Sequence, residues 1–126
     1  MIAIHRFLLV VAQPAMRGSA NVVKSLNEVI RVAKFEAALM VMHEAVLVGT
    51  MGLIRATWWY NDTEFLTDRW HFVLPAFMHT PTAALLMDEA KFIAKAAGLE
   101  FLHNGKAREK GGVIRLMPRI YSPEGA

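Results

Sequence analysis

WHFVLPAFMHTPTAALLMDEAKFIAKAAGLEF, residues Trp70–Phe101, reads as a strand, a tight turn, a long helix and a second strand. Phe72, Val73 and Leu74 continue an apolar strand that Pro75 stops, because proline has no N–H to give to a sheet ladder. Thr80 and Pro81 then present a capping hydroxyl followed by a residue preset for the first helical position. The helix carries Ala83, Leu86, Ala90, Ile93 and Ala97 on one face and Asp88, Lys91 and Lys95 on another. Gly98 follows where a left-handed residue ends a helix at least cost. The amides from Met78 to Ala83 form a positive helix start directed along the strand edge, which is a natural seat for phosphate.

Upstream, Ile2–Gln13 (IAIHRFLLVVAQ) is rich in β-branched and aromatic residues and is expected to be a first strand. Pro14–Ser19 is a loop. Asn21–Ala33 places Val22, Val23, Leu26, Val29, Ile30 and Ala33 on one face of an amphipathic helix. Leu39–Met42 begins a second strand, His43-Glu44-Ala45 is a tight turn, and Val46–Thr57 is a third strand. Asn61-Asp62 signals another turn before a fourth strand, Glu64–Leu74. Downstream, Leu99–His103 is the fifth strand, Val113–Met117 a short helix ended or kinked by Pro118, and Tyr121–Ala126 a tail. No internal repeat, linker or low-complexity segment is visible.

The length of 126 residues predicts one domain with a core of ordinary size. An apolar fraction of 55% and a mean hydropathy of +0.32 predict a large buried sheet or a sticky oligomer face. The absence of cysteine excludes disulfides, thiolate metal sites and a cysteine nucleophile. The net charge of +3 suits an anionic ligand, but the cations are scattered before Lys106–Arg119, so nucleic acid is not the expected partner. Phe7–Ala12 is too short to span a bilayer and lacks a cleavage pattern; Ala37–Ile54 is interrupted by His43 and Glu44. The reading is a soluble, cytoplasmic protein without a membrane segment.

The strand–turn–helix resembles the GNAT superfamily of N-acyltransferases, which hold the pyrophosphate of acetyl-coenzyme A between a fourth strand and the helix after it. That family's signature is V-x-P-x-x-(R/Q)-x-x-G-x-(G/A) followed by a leucine-rich helix. Here Val73, Pro75, Ala83, Leu85 and Leu86 match, while Met78 stands for the arginine and Pro81 for the first glycine. Val48-Gly49 falls where the family's preceding hairpin carries its Val-Gly pair, and the resemblance runs over roughly Ala37–Tyr121. It implies an α/β (α+β) fold, a mixed and mostly antiparallel sheet flanked by helices, in a single domain with the family's last strands shortened or absent. It implies acetyl-coenzyme A as co-substrate, an amine as acceptor, and a cofactor site at Val73, Leu74, Met78, His79, Thr80, Thr82 and Ala83. A bare edge at the shortened C-terminus would invite a partner chain, and a homodimer is expected.

Direct acyl transfer to an amine needs a base near the nitrogen. On the fourth strand the candidates are His71, set between Trp70 and Phe72, and Glu64, with Asp68 beside Arg69. Against these stand the plainer readings of a histidine satisfied by neighbouring backbone and of two solvated carboxylates. The resemblance implies a tyrosine acid in two possible registers: Tyr121 with Gly125 fits Y-x-x-x-G, or R-L-M-P-R-I-Y ends the family helix and leaves no tyrosine acid. Pro123 favours the second register. His79 lies in the phosphate loop, and Lys106, Arg108, Lys110, Arg115 and Arg119 form a basic cluster suited to the 3′-phosphate or to a solvated face. Trp58, Trp59 and Tyr60 suit either an aromatic platform or core and interface. The five histidines do not fall at metal-ligand spacing, and no metal is expected. The rival reading is a non-catalytic binding or assembly protein on the same fold. A small nucleic-acid-binding protein, resting on the basic tail and the aromatics, would bind with steep salt dependence.

Overall fold

The computed structural model describes residues 2–12, 18–19, 21–104, 107–110, 113–116 and 119–123, with backbone alone for 11–12, 107–110 and 113–116. The N-terminal segment is not the expected strand: α1 (Ile2–Phe7) runs into a π-helical turn, Leu8–Ala12. Its composition favours a strand, but Ile4, Phe7 and Leu8 recur at helical spacing, and they bury together against Val29, Val32 and Trp70. His5 reaches across to the Ser25 hydroxyl at 2.8 Å, which ties α1 to the next helix.

That helix, α2 (Val22–Phe35), starts as its sequence demands. The Asn21 side chain accepts the Lys24 N–H at 3.0 Å, satisfying one of the unpaired amides of the first turn. At its far end Glu36 accepts the Arg55 N–H at 2.7 Å and pairs with Arg31 at 2.9 Å, fastening the helix to the sheet.

Glu28 accepts two hydrogen bonds from Arg31 and lies 3.2 Å from Arg69. The Arg31 hydrogen bonds, opposed by partial desolvation and aided by the charges of Arg31 and Arg69, hold the Glu28 carboxyl below its ordinary value of 4.5. A depressed carboxyl contributes stability above its unfolded-state value and loses it as pH falls through its folded-state value. Wild type is therefore expected to lose melting temperature more steeply below pH 4.5 than Glu28→Gln. Exposure keeps the difference under about 1 kcal/mol, and paired melts at about pH 6 and about pH 3 check it.

The main sheet has the order β1-β2-β3-β4-β7, with β1 (Ala37–His43), β2 (Val46–Thr57), β3 (Glu64–Val73), β4 (Phe101–His103) and β7 (Arg119–Tyr121). All neighbours are antiparallel except β3 and β4, which the long helix α3 (Thr82–Ala97) joins as a parallel crossover. The β1–β2 turn places Glu44 and Ala45 at φ 49° and 64°, the two left-handed positions that match strand twist in a two-residue hairpin. The α1/α2 layer packs on one face around Trp70; α3 covers the other, where Leu86, Ala90 and Ala94 meet Met51, Leu53, Leu66 and Phe101. This is the mixed, mostly antiparallel sheet flanked by helices that the sequence implies.

The C-terminal expectations change. Residues 113–116 are β6, paired antiparallel with β5 (Ala107–Lys110), and not a short helix; Arg119–Tyr121 is a strand on β4, so Tyr121, the first residue of the expected tail, lies in the sheet. Val113, Ile114 and Leu116 carry the β-branched, apolar bias that a strand favours, and Pro118 follows where a strand ends. Among the described residues no helix is long and apolar enough to cross a membrane.

Candidate active site

The site begins with one extra residue in β3. Gly52 opposes Trp70 and Leu53 opposes Asp68, so Arg69 is bulged out of the ladder and turns toward Glu28 on α2. A Cβ on Gly52 would meet the Trp70 ring at 2.6 Å, so only glycine lets the indole lie across β2 there. The indole N–H donates to the Thr50 hydroxyl at 3.1 Å, and that hydroxyl donates to the Leu39 carbonyl at 2.8 Å. The ladder to the parallel neighbour ends just before the bulge. Pairing with β4 is confined to Leu66↔Phe101 and Thr67↔Leu102, and residues 68–73 have no β-ladder partner on that side among the described residues.

Side chains bridge the opening that follows. Asp68 is buried, its carboxylate accepts the Asn104 backbone N–H at 2.8 Å, and its carbonyl accepts the Asn104 amide at 3.1 Å. Deeper in, the His71 Nδ1 and His103 Nε2 atoms lie 3.0 Å apart with rings near edge-on. Asp68 is therefore no solvated charge: the bulge beside it turns its carboxylate onto the start of the opening.

At the far end of β3, the Leu74 N–H bonds the Val48 carbonyl at 2.8 Å, and a 3₁₀ turn, Pro75–Phe77, carries the chain toward α3. The helix begins one residue later than expected, at Thr82, with Pro81 as its cap. Thr80 does not cap it in the ordinary way. Its hydroxyl donates to the Phe77 carbonyl at 2.6 Å, lies 2.9 Å from the Thr82 hydroxyl and accepts the Thr82 N–H at 3.4 Å. The amides of Met78 and Thr80 also bond within the turn, to the Pro75 and Phe77 carbonyls. Of the expected row of amides, that of Ala83 precedes the first intrahelical bond, from Leu85 N–H to the Pro81 carbonyl, and so does that of Ala84, which the row did not include. Gly49 lets this first turn lie close to β2: a Cβ there would meet Thr82 Cγ2 at 2.7 Å. Thr82 is buried, Val73 and Leu74 are half-buried, and Met78 and His79 face solvent.

Val73, Leu74, Met78, His79, Thr80, Thr82 and Ala83 thus gather where the open edge of β3 meets the start of α3, with His71 inside the opening. The other two candidates lie elsewhere. Glu64 starts β3 opposite Thr57, more than half exposed and 3.6 Å from Arg55. Seven positions along a strand put it about 23 Å from His71. Tyr121 lies on β7 opposite Phe101, stacked on that ring at 5.9 Å and with the Lys91 ammonium 4.3 Å from its own. It lines a groove of about 340 Å³ beside α3 with Phe92, Lys95 and Leu99. Neither helical register of Tyr121 is present in the described residues. Trp58 packs on Phe65 with Trp59 and Tyr60 exposed beside it, at the Glu64 end of β3. Of the basic cluster, Arg119 is exposed on β7, Lys106 lies outside the described residues, and so do the side chains of Arg108, Lys110 and Arg115. Among the described residues no three metal-ligating side chains converge.

His103 and Asn104 are the residues that sequence reasoning missed. Alternation along β4 would have put His103 on the Phe101 face, but no spacing in the chain sets the offset between β3 and β4.

No family model matches the sequence, and no curated protein sequence matches it. Solved structures do. An aminoglycoside 6′-N-acetyltransferase from Acinetobacter haemolyticus is 16% identical, with a TM-score of 0.60 over 79% of this chain and 73% of that one. The N-acetyltransferase YlbP of Bacillus subtilis, solved with coenzyme A, is 13% identical, with a TM-score of 0.58 over 98% of this chain and 90% of that one. A GNAT family acetyltransferase of Brucella melitensis, solved with acetyl-coenzyme A, is 16% identical, with a TM-score of 0.61 over 82% and 70%. The chain has the GNAT fold.

Proposed function

We propose that this GNAT-fold chain transfers an acyl group, acetyl first among them, from coenzyme A to an amine. The observation that carries the reading is the two-residue β3–β4 pairing, which opens the sheet beside His71 and next to the start of α3. In this reading the amide-bearing pantetheine arm lies along the unladdered edge of residues 68–73, where it can complete the strand's hydrogen bonds. Val73 and Leu74 line the arm. The pyrophosphate sits at the first turn of α3, on the amides of Ala83 and Ala84 and the turn residues Met78, His79, Thr80 and Thr82. His71 accepts the proton of the attacking amine, and the thiolate leaves as coenzyme A. Solved neighbours that carry coenzyme A or acetyl-coenzyme A support the donor. A homodimer in the cytoplasm goes with this reading, and light scattering of the purified protein tests the first part.

One observation favours a second reading, a binding or assembly protein on the same fold. Pro81 has no amide, and the Met78, Thr80 and Thr82 amides are already bonded, so the phosphate seat is smaller than the motif implies.

A thermal melt separates the two. A donor present at about a hundred times its Kd adds about 2.7 kcal/mol, or about 10 °C in a domain of this size. Acetyl-coenzyme A is expected to give such a shift and adenosine 3′,5′-bisphosphate a smaller one. No shift at millimolar donor would overturn the acyltransferase reading and favour the second.

A further inference from the structure

We infer that His71 and His103 act as one imidazole pair, in which His103 positions the base and shares its proton. The inference deepens the acyl-transfer reading and rests on it for the site's purpose, but the pairing is a property of the folded chain. With Nδ1 of one ring 3.0 Å from Nε2 of the other, a hydrogen bond requires a proton on one of these nitrogens and a lone pair on the other. The centroids lie 5.2 Å apart with planes at 63°, the edge-on arrangement that points an N–H at a neighbouring ring nitrogen. The pair therefore takes up one extra proton without breaking its bond. A second extra proton would set two N–H groups against each other.

The last β3–β4 ladder pair is Thr67 and Leu102, so the rings meet beyond the ladder. The Asp68–Asn104 clamp fixes the chain immediately after His103, and the Phe101 ring lies 6.1 Å from it on the other side. The charged groups around the pair are few. Asp68 is spent on Asn104, Arg69 turns to Glu28 on α2, and Arg119 lies opposite His103 on β7. On β2, Met51 opposes His71 and brings no charge; on α3, Asp88 and Lys91 lie farther along, beside Phe101 and Tyr121. The second imidazole does for His71 Nδ1 the orienting work that a carboxylate can do for a histidine base. In the reaction the C–N bond forms as the amine proton passes to the pair. The C–S bond breaks with its electrons on sulfur, and the proton leaves to the thiolate or to solvent, so the pair ends neutral.

The test is ring-nitrogen NMR of uniformly labelled protein without substrate, followed by kcat/KM. In the wild type a coupling across the hydrogen bond between His71 Nδ1 and His103 Nε2 is expected. In His103→Leu the His71 Nδ1 signal is expected to move as that bond is lost. Its misplaced ring is expected to lower kcat/KM up to about 100-fold. His103→Gln, whose amide reaches the position of Nε2, is expected to recover most of that loss, which a merely structural role for His103 would not produce. Absence of that coupling in the wild type overturns the inference, even if His103→Leu fails to fold. So does an unchanged His71 Nδ1 signal in His103→Leu. A coupled pair in a protein that never acetylates an amine overturns the acyl-transfer reading and leaves the pairing intact.

Discussion

Gly52→Ala is expected to destabilise the protein by about 3 kcal/mol, the upper part of the range for overpacking a filled site. The added methyl would lie 2.6 Å from Cδ2, Cε2 and Cε3 of Trp70, well inside contact distance. The ring has nowhere to go. It is 7% exposed, packed by Ile4, Phe7, Leu8, Val29 and Val32, and its N–H is held by Thr50. In a domain whose total stability is about 5–15 kcal/mol, that loss lowers the melting temperature by about 10 °C. Gly52→Val, with two further methyl groups, is expected to leave little folded protein. The sharper check is a double-mutant cycle in denaturant. Trp70→Phe alone removes the Thr50 hydrogen bond and leaves a void, yet in combination with Gly52→Ala the two costs are expected to fall short of their sum by at least about 1 kcal/mol. A Gly52→Ala protein within about 0.5 kcal/mol of wild type would mean that the close approach does not exist. The consequence reaches the cleft, because the same pair flanks the Arg69 bulge at which β3 leaves β4.

His71→Ala is expected to lower kcat/KM for amine acetylation by about 10²–10⁴-fold, the usual worth of a positioned base. The half-buried ring is not part of either apolar cluster, so the melting temperature is expected to fall by only a few degrees. The stabilisation by acetyl-coenzyme A should persist, since in the proposed reading other groups hold the donor's phosphates and arm. Two variants set the scale. Glu64→Gln alters an exposed ion pair at the far end of β3 and is expected to stay within about twofold of wild type. Tyr121→Phe keeps the stack on Phe101 and the Lys91 contact, and is expected to stay within about threefold, because the ring lies at the Phe101 level, two strand positions or about 7 Å short of His103. A His71→Ala enzyme of undiminished rate would remove the histidine pair from the chemistry, and a collapse in Tyr121→Phe would restore the tyrosine acid.

Much of the sheet and one side of the site were legible in the chain. β2 was read with its observed bounds, and β3 and the β1–β2 turn to within one residue, because each rests on local apolar runs and turn residues. α2 was legible as a helix capped by Asn21, but the stripe read for it holds Val29 and omits the buried Val32, while its Val22 and Val23 are exposed. α3 was legible from its apolar stripe and from Gly98, which ends it at φ 69° with its N–H on the Ala94 and Lys95 carbonyls. The place where a strand edge meets a helix start followed from these elements alone. The N-terminal segment was misread because its composition favours a strand, while the spacing of Ile4, Phe7 and Leu8 fits the Trp70 pocket only as a helix.

Local chemistry along the chain thus suffices for β2, β3, α2 and α3 as elements, since each depends on residues within a few positions of one another. The chemistry of the cleft depends on contacts of another kind. Trp70 and Thr50 are 20 residues apart, His71 and His103 are 32, and Asp68 and Asn104 are 36. Periodicity tells which way a side chain points from its own strand, but not which residue of a distant strand it will face. That offset is fixed when the Arg69 bulge forms against Gly52 and Trp70, and when α3 returns the chain to pair at Leu66 and Thr67. Only then does Asp68 become buried, Glu64 stay outside, and one histidine come within hydrogen-bond reach of another.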